Sequence, residues 1–205
     1  MCQPRKETHV TAYLAPVESP RGIRMKLLYR FLGKAFGKVP SWLSVQSARM
    51  PFGFVAWMGK VSSLNKKLLL PHDTMKLIRA RVDGLNMCTW CQDAGRWYVI
   101  TKDEDPNLLA KVDSVADYRT SPLFDDSERA ALDFATELTE HKHISPETFE
   151  TLQRHFSERE ICEIDWIVAT NHLFNINNLG LGISSDGLCE LAHQKLPQEK
   201  AVSSN

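Results

Sequence analysis

Apolar residues along this chain recur at intervals of three and four, with polar residues between them. In residues 21–38, RGIRMKLLYRFLGKAFGK, Met25, Leu28, Leu32 and Phe36 fall at helical spacing and predict an amphipathic helix. Pro40 and Pro51 bracket a second short helix, and VAWMGKVSSLNKKLLL predicts a third. After Pro71, Asp73 is placed to cap a helix through TMKLIRARVDGLN, whose face is Met75, Ile78, Val82 and Leu85 and which Gly84 and Asn86 bring to an end. A new helix begins near Cys88 and runs through CQDAGRWYVI.

The second half repeats the theme with stronger punctuation. Asp125 followed by Glu128 is a capping box, and so is Ser157 followed by Glu160. Ser145 stands before Pro146, a cap followed by the residue best suited to a first helical position. The face of Ile161, Ile164, Ile167, Val168 and Leu173 marks the last of these as a central core helix. No stretch alternates as a strand does, so the fold class is all-α. Residues 1–20, with Pro4, Pro16 and Pro20, read as a poorly ordered arm. Residues 21–195 read as one helical domain and 196–205 as a flexible tail.

Composition narrows the classes of function. Lys+Arg and Asp+Glu both number 25, so the net charge is zero and no nucleic-acid partner is implied. Residues 21–38 hold six basic side chains and no acid, a stripe expected to pack on the body or on a partner subunit. The N-terminus lacks the apolar core of a signal peptide, and no apolar run is long enough to span a bilayer. The expectation is a cytoplasmic protein without a membrane partner. Five scattered cysteines do not form a secreted disulfide framework.

The candidate chemistry lies in NMCTWCQDAGRWYVI, residues 86–100, where Cys88 and Cys91 flank Thr89 and Trp90. Residues three apart on a helix share a face. At a helix start, a C-x-x-C pair brings two sulfurs within disulfide reach and exposes the first to unpaired backbone N–H groups that favour thiolate. Two other readings stand beside the redox one. A zinc site would need two more ligands, for which Cys189 and His193 are candidates. The plain alternative is a pair of small buried apolar residues. Asp93 is either a general base or a partner of the helix dipole. His172 is a candidate catalyst on the core helix, although such a histidine is more often hydrogen-bonded structure. Asn171, Asn175 and Asn178 form a polar stripe on the same helix, and buried amides require partners. Trp90 and Trp97 read as packing residues that also wall a pocket.

Three segments together resemble the carboxymuconolactone decarboxylase-like family, which includes alkylhydroperoxidase D. They are FGKVPSWLSVQSARMPFGFVAW, LPHDTMKLIRARVDGLNMCTWCQDAGR and the stretch from YRTSPLFDDSERAALDFATEL to NINNLGLGI. The resemblance spans roughly residues 36–183 and is most specific in LIRARVDGLNMCTWC. It implies an oligomeric all-α bundle in which the C-x-x-C pair reduces hydroperoxides, Cys91 attacking; no cofactor and no metal are expected. The peroxidase pattern also places a Glu twelve residues before the first cysteine and a His four after the second. Here those positions are Lys76 and Gly95, so the usual proton relay is missing. Asp93 resembles the Asp of a C-x-x-C-x-D-x-G-R ending found in one branch.

The leading function is therefore a thiol-dependent, peroxidase-like oxidoreductase with an atypical relay. It would take a small-molecule substrate and an unidentified dithiol reductant, and it would assemble as a homo-oligomer. Two alternatives differ in class. One is a lyase or isomerase of a small lactone or carboxylic acid, anchored by Arg96 or Lys76. The other is an oligomeric binding protein without catalysis.

Overall fold

The structure, a computed structural model, describes residues 12–50 and 53–193. The helices are α1 (Ile23–Phe36), α2 (Phe54–Asn65), α3 (His72–Leu85), α4 (Thr89–Tyr98), α5 (Pro106–Asp113), α6 (Asp126–His141), α7 (Pro146–His155) and α8 (Glu158–Leu179). A further helical stretch covers 188–193, and no strand occurs among the described residues.

Both capping boxes form. Asp125 accepts from the Glu128 N–H and Ser157 from the Glu160 N–H, while each glutamate reaches back to its cap. Ser145 caps α7 with Pro146 at its first position. Asp73 does not cap α3. Pro71, in an extended conformation, precedes the helix, and Asp73 lies inside its first turn, where its charge complements the helix dipole. The sequence reading has no helix at 106–113, yet Asp105 accepts from the N–H groups of Asn107 and Leu108 ahead of Pro106, the same signature seen at α7. Between Pro40 and Pro51 the chain makes a π-helical turn, Leu43–Ser47. A second π-helical turn, Val99–Asp103, continues α4 and ends at Glu104 in the left-handed region.

Helix α3 is the hub, with α6, α8 and α4 packed around it. Ile78 and Val82 of α3 meet Ala131 and Phe134 of α6 and Ile164, Ile167 and Val168 of α8 in one apolar cluster. Leu77, on the other flank of α3, joins Leu108, Val112, Tyr118 and Leu132 in a second. Phe36 and Trp97 close a third over the 188–193 stretch. Helix α1 buries Met25, Tyr29 and Phe36 and leaves Ile23, Leu27 and Phe31 at 70%, 59% and 70% exposure. Residues 12–20 run along the body. The Tyr13 N–H donates to the Leu181 carbonyl at 3.0 Å, the Val17 N–H to the Ser44 carbonyl at 2.9 Å, and the Tyr29 hydroxyl to the Val17 carbonyl at 2.7 Å. The first eleven residues of the expected arm and the whole expected tail at 196–205 lie outside the described residues. None of the described helices is long and apolar enough to cross a membrane.

Candidate active site

The site is built where α3 stops and α4 starts. Asn86 ends α3, and Met87 takes a positive φ of 55° that reverses the chain. Cys88 then occupies the N-cap position of α4, its N–H donating to the Asp83 carbonyl at 3.0 Å. Cys91 lies in the first turn of α4. The two cysteines are joined as a disulfide, S–S 2.18 Å and Cα–Cα 5.3 Å. Cys88 is fully buried and Cys91 is 8% exposed.

The asparagine stripe of α8 faces this disulfide. The Asn175 amide nitrogen donates both to Cys91 Sγ at 3.1 Å and to Asp83 Oδ1 at 2.7 Å. The Asn178 amide donates to Cys91 Sγ at 3.4 Å and reaches Cys88 Sγ at 3.8 Å. Asn171 donates to Asp83 Oδ1 at 2.7 Å. Amide donors thus converge more closely on Cys91 than on Cys88. The N-cap position alone favours Cys88, but its side chain makes no capping hydrogen bond.

The orientation of Asn175 is determined on every side. Its two N–H groups serve the sulfur and the carboxylate, and its Oδ1 accepts from the Asn86 amide at 2.8 Å. The same Asn86 nitrogen lies 3.2 Å from His172 Nδ1, and His172 Nε2 lies 3.1 Å from the Thr139 hydroxyl. Nδ1 therefore accepts and Nε2 carries the proton, which is the neutral imidazole. Burial first, and then the nearby Lys142 charge, hold the His172 pKa below its ordinary value, in keeping with that state. His172 stands three hydrogen bonds away from Cys91, in the network that orients Asn175.

Asp83 is 5% exposed. Burial pushes its pKa up to about 6, against the Asn175 and Asn171 hydrogen bonds and the Arg79 charge, which pull it down. The sequence pattern marks Asn86 only as the end of α3 and does not single out Asp83. Asp83 lies four positions after Arg79 on a helix, the spacing of an ordinary surface ion pair, so nothing local marks it as buried.

Asp93 is committed elsewhere. Its Oδ2 accepts from the Ser185 hydroxyl at 2.8 Å and from the N–H groups of Asp186 and Leu188 at 3.1 and 2.8 Å. Its Oδ1 accepts from the Cys189 N–H at 2.7 Å. The carboxylate caps the 188–193 helical stretch and clamps it on α4. Asp186 adds a second clamp, accepting from the Ser41 N–H and hydroxyl and from Trp90 Nε1, and pairing with Lys38. Trp90 also stacks edge-on against Trp42, and Trp97 packs on Phe36.

At the positions of the missing relay, Lys76 pairs with Asp103 at 3.3 Å and lies over the Tyr98 ring. A Cβ at Gly95, the position of the relay histidine, would meet nothing within 4 Å. Arg96 pairs with Asp113 at 2.6 Å. Among the described residues no group of three or more His, Cys, Asp or Glu side chains is arranged to hold a metal. An apolar groove of about 350 Å³, lined by Gln46, Met50, Gly53, Trp57, Leu173 and Asn177, runs along the other face of α8 from the asparagine stripe.

This all-α architecture with a buried C-x-x-C pair is the alkylhydroperoxidase D-like fold, and the resemblance read in the sequence holds at the level of the fold. The chain is similar to the debrominase Bmp8, with a TM-score of 0.71 and 21% identity, covering 91% of this chain and 96% of that one. Bmp8 has also been solved as a Cys-to-Ala variant with 2,3,4-tribromopyrrole. It is similar as well to an uncharacterized peroxidase-related protein from Ralstonia eutropha JMP134 with an alkylhydroperoxidase core, with a TM-score of 0.70 and 21% identity over 87% of this chain and 94% of that one. Among curated proteins, the uncharacterized YnjA of Escherichia coli K12 is 26% identical over 177 residues, 81% of this chain and 88% of YnjA. No protein-family model matches the chain.

Proposed function

We propose that the protein is a thiol-dependent oxidoreductase in which Cys91 attacks and Cys88 resolves. The observation that carries this reading is the pair of amides, Asn175 and Asn178, aimed at the Cys91 sulfur at 3.1 and 3.4 Å. A disulfide sulfur is a weak acceptor, whereas hydrogen bonds to an ionised acceptor are roughly twice as strong as neutral ones. The donors therefore favour the reduced, charged state of Cys91.

The cycle balances as follows. The Cys91 thiolate takes the distal oxygen of a hydroperoxide and becomes a sulfenic acid, the O–O bond breaks, and the alkoxide takes a proton to leave as an alcohol. Cys88 attacks the sulfenic sulfur, forming the disulfide and releasing water. A dithiol then reduces the disulfide and is itself oxidised. Without the Glu and His of the usual relay, turnover falls below that of relay-intact peroxidases, for which acid–base assistance is typically worth ~10²–10⁴-fold.

The test is hydroperoxide consumption with dithiothreitol as donor. Cys91→Ser abolishes turnover, while Cys88→Ser leaves a Cys91 sulfenic acid that dimedone traps. If Cys91→Ser retains turnover, or Cys162 oxidises before the pair, the reading is wrong.

A second reading is reductive dehalogenation of a small halogenated aromatic, favoured by the fold likeness to Bmp8. The same two thiols supply the electrons, replacing carbon–halogen by carbon–hydrogen and releasing halide and a proton. Bromide release from 2,3,4-tribromopyrrole in place of peroxide loss distinguishes it. The lyase alternative has lost its free anchors, since Lys76 and Arg96 are both ion-paired.

A further inference from the structure

One NH₂ group, that of Asn175, donates to both the Asp83 carboxylate and the Cys91 sulfur. Both acceptors are buried. In the disulfide form only Asp83 carries charge. Reduction would leave two anions on one amide, within about 6 Å of each other, and at that separation in a partly screened interior each charge raises the other's proton affinity roughly a hundredfold. We infer that Asp83 and Cys91 form one proton-sharing pair, in which Asp83 takes up a proton when the disulfide is reduced and Cys91 rests as a thiolate. This rests on the thiol-redox reading of the site.

The surroundings bring the two proton affinities together. Burial raises that of Asp83. Amide donors and the first turn of α4 favour the thiolate, and thiols at helix N-termini fall to ~3.5–7.5. The charged and titratable groups around Asp83 are few. Arg79, on its own helix, is the charge that acts on it. Helix α4 presents Cys91, with Tyr98 beside Arg79. Helix α8 presents neutral His172 through Asn86, and α6 presents the Thr139 hydroxyl to that histidine. Asparagine amides do not ferry protons, so Asp83 acts on Cys91 through charge and through the orientation it imposes on Asn175. It is a positioning residue.

The steps balance. The disulfide, the Asp83 carboxylate and a dithiol give the Cys88 thiol, the Cys91 thiolate, the Asp83 carboxylic acid and an oxidised dithiol. When the thiolate then takes oxygen from a hydroperoxide, its charge disappears and Asp83 gives up its proton. That proton balances the departing alkoxide. Asp83 thereby fills the proton-holding office that Lys76 and Gly95 leave vacant.

The test is the midpoint potential of the Cys88–Cys91 pair, equilibrated with dithiothreitol from about pH 5 to about pH 8, its slope read as protons taken up per two electrons. Below about pH 6 Asp83 already holds its proton in the disulfide form, so reduction takes up about one. Above that pH it takes up about two. An uptake that rises with pH is opposite to the behaviour of a lone thiol. In Asp83→Asn the rise is absent. Independently, the reduced-minus-oxidised infrared difference of the wild-type protein at neutral pH shows a new protonated-carboxyl band that Asp83→Asn lacks. Uptake that is constant or falling across the range, or a rise that persists in Asp83→Asn, overturns the inference while leaving the redox reading intact. A pair that dithiothreitol cannot reduce overturns both.

Discussion

At the scale of single residues, Asp83 carries a cost that pH reveals. Its folded pKa of about 6 lies above the free value of 3.8. Between those values the folded protein holds a proton that the unfolded chain has released. This group therefore favours the fold most below about pH 4, and the contribution is lost as pH rises through about 6. A shift of about two units corresponds to about 3 kcal/mol. Urea unfolding of the oxidised wild-type protein and of Asp83→Asn, compared from about pH 4 to about pH 7, is expected to show the wild type losing stability relative to the variant by up to that amount. A difference independent of pH would mean that Asp83 titrates normally. His172 has the opposite sign: held neutral, it makes the fold lose stability as pH falls below its ordinary pKa. Taking the difference between two proteins that share His172 removes its contribution.

At the scale of elements, the helical stretch at 188–193 is held to α4 by the Asp93 carboxylate, which accepts four hydrogen bonds. Asn at this position keeps one acceptor oxygen and turns an NH₂ group toward backbone N–H groups. Asp93→Asn is therefore expected to cost about 1–3 kcal/mol. Amide exchange at Asp186, Leu188 and Cys189 should quicken more than exchange at α3 or α6. Unchanged protection at those three amides would show that Asp93 is not the clamp. Helix α8 illustrates how one element serves two purposes. Ile164, Ile167 and Val168 anchor its first half in the core, and that rigid half aims the asparagines of its second half at the sulfurs.

At the scale of the whole molecule, the outer face of α1 shows Ile23, Leu27 and Phe31 four residues apart, all more than half exposed. Three large apolar side chains in a row are expected to be covered by a second copy of the chain. The protein should sediment as an assembly of 23.3 kDa protomers. Replacing Leu27 and Phe31 together by Asp should shift it toward the monomer. A wild-type monomer at micromolar concentration would refute this assembly, since a standard interface persists at that level.

The chain's own pattern determined the helices and where most of them begin, because caps and apolar periodicity act through neighbours three and four residues away. Asp125 with Glu128, Ser145 with Pro146, and Ser157 with Glu160 are such local devices, and each forms. The cysteine pair was legible for the same reason: its spacing and the turn before it bring the sulfurs together. Asp73 failed as a cap because Pro71 had already set the helix start. What only the tertiary structure decided is which polar groups meet. Asp83 and Asn175 are 92 positions apart, and Asp93 and Cys189 are 96 apart. No local spacing encodes those pairs. They depend on how α8 and the segment after it dock on α3 and α4, and that docking turned Asp93 from a candidate base into a clamp and put Asp83 beside the sulfur.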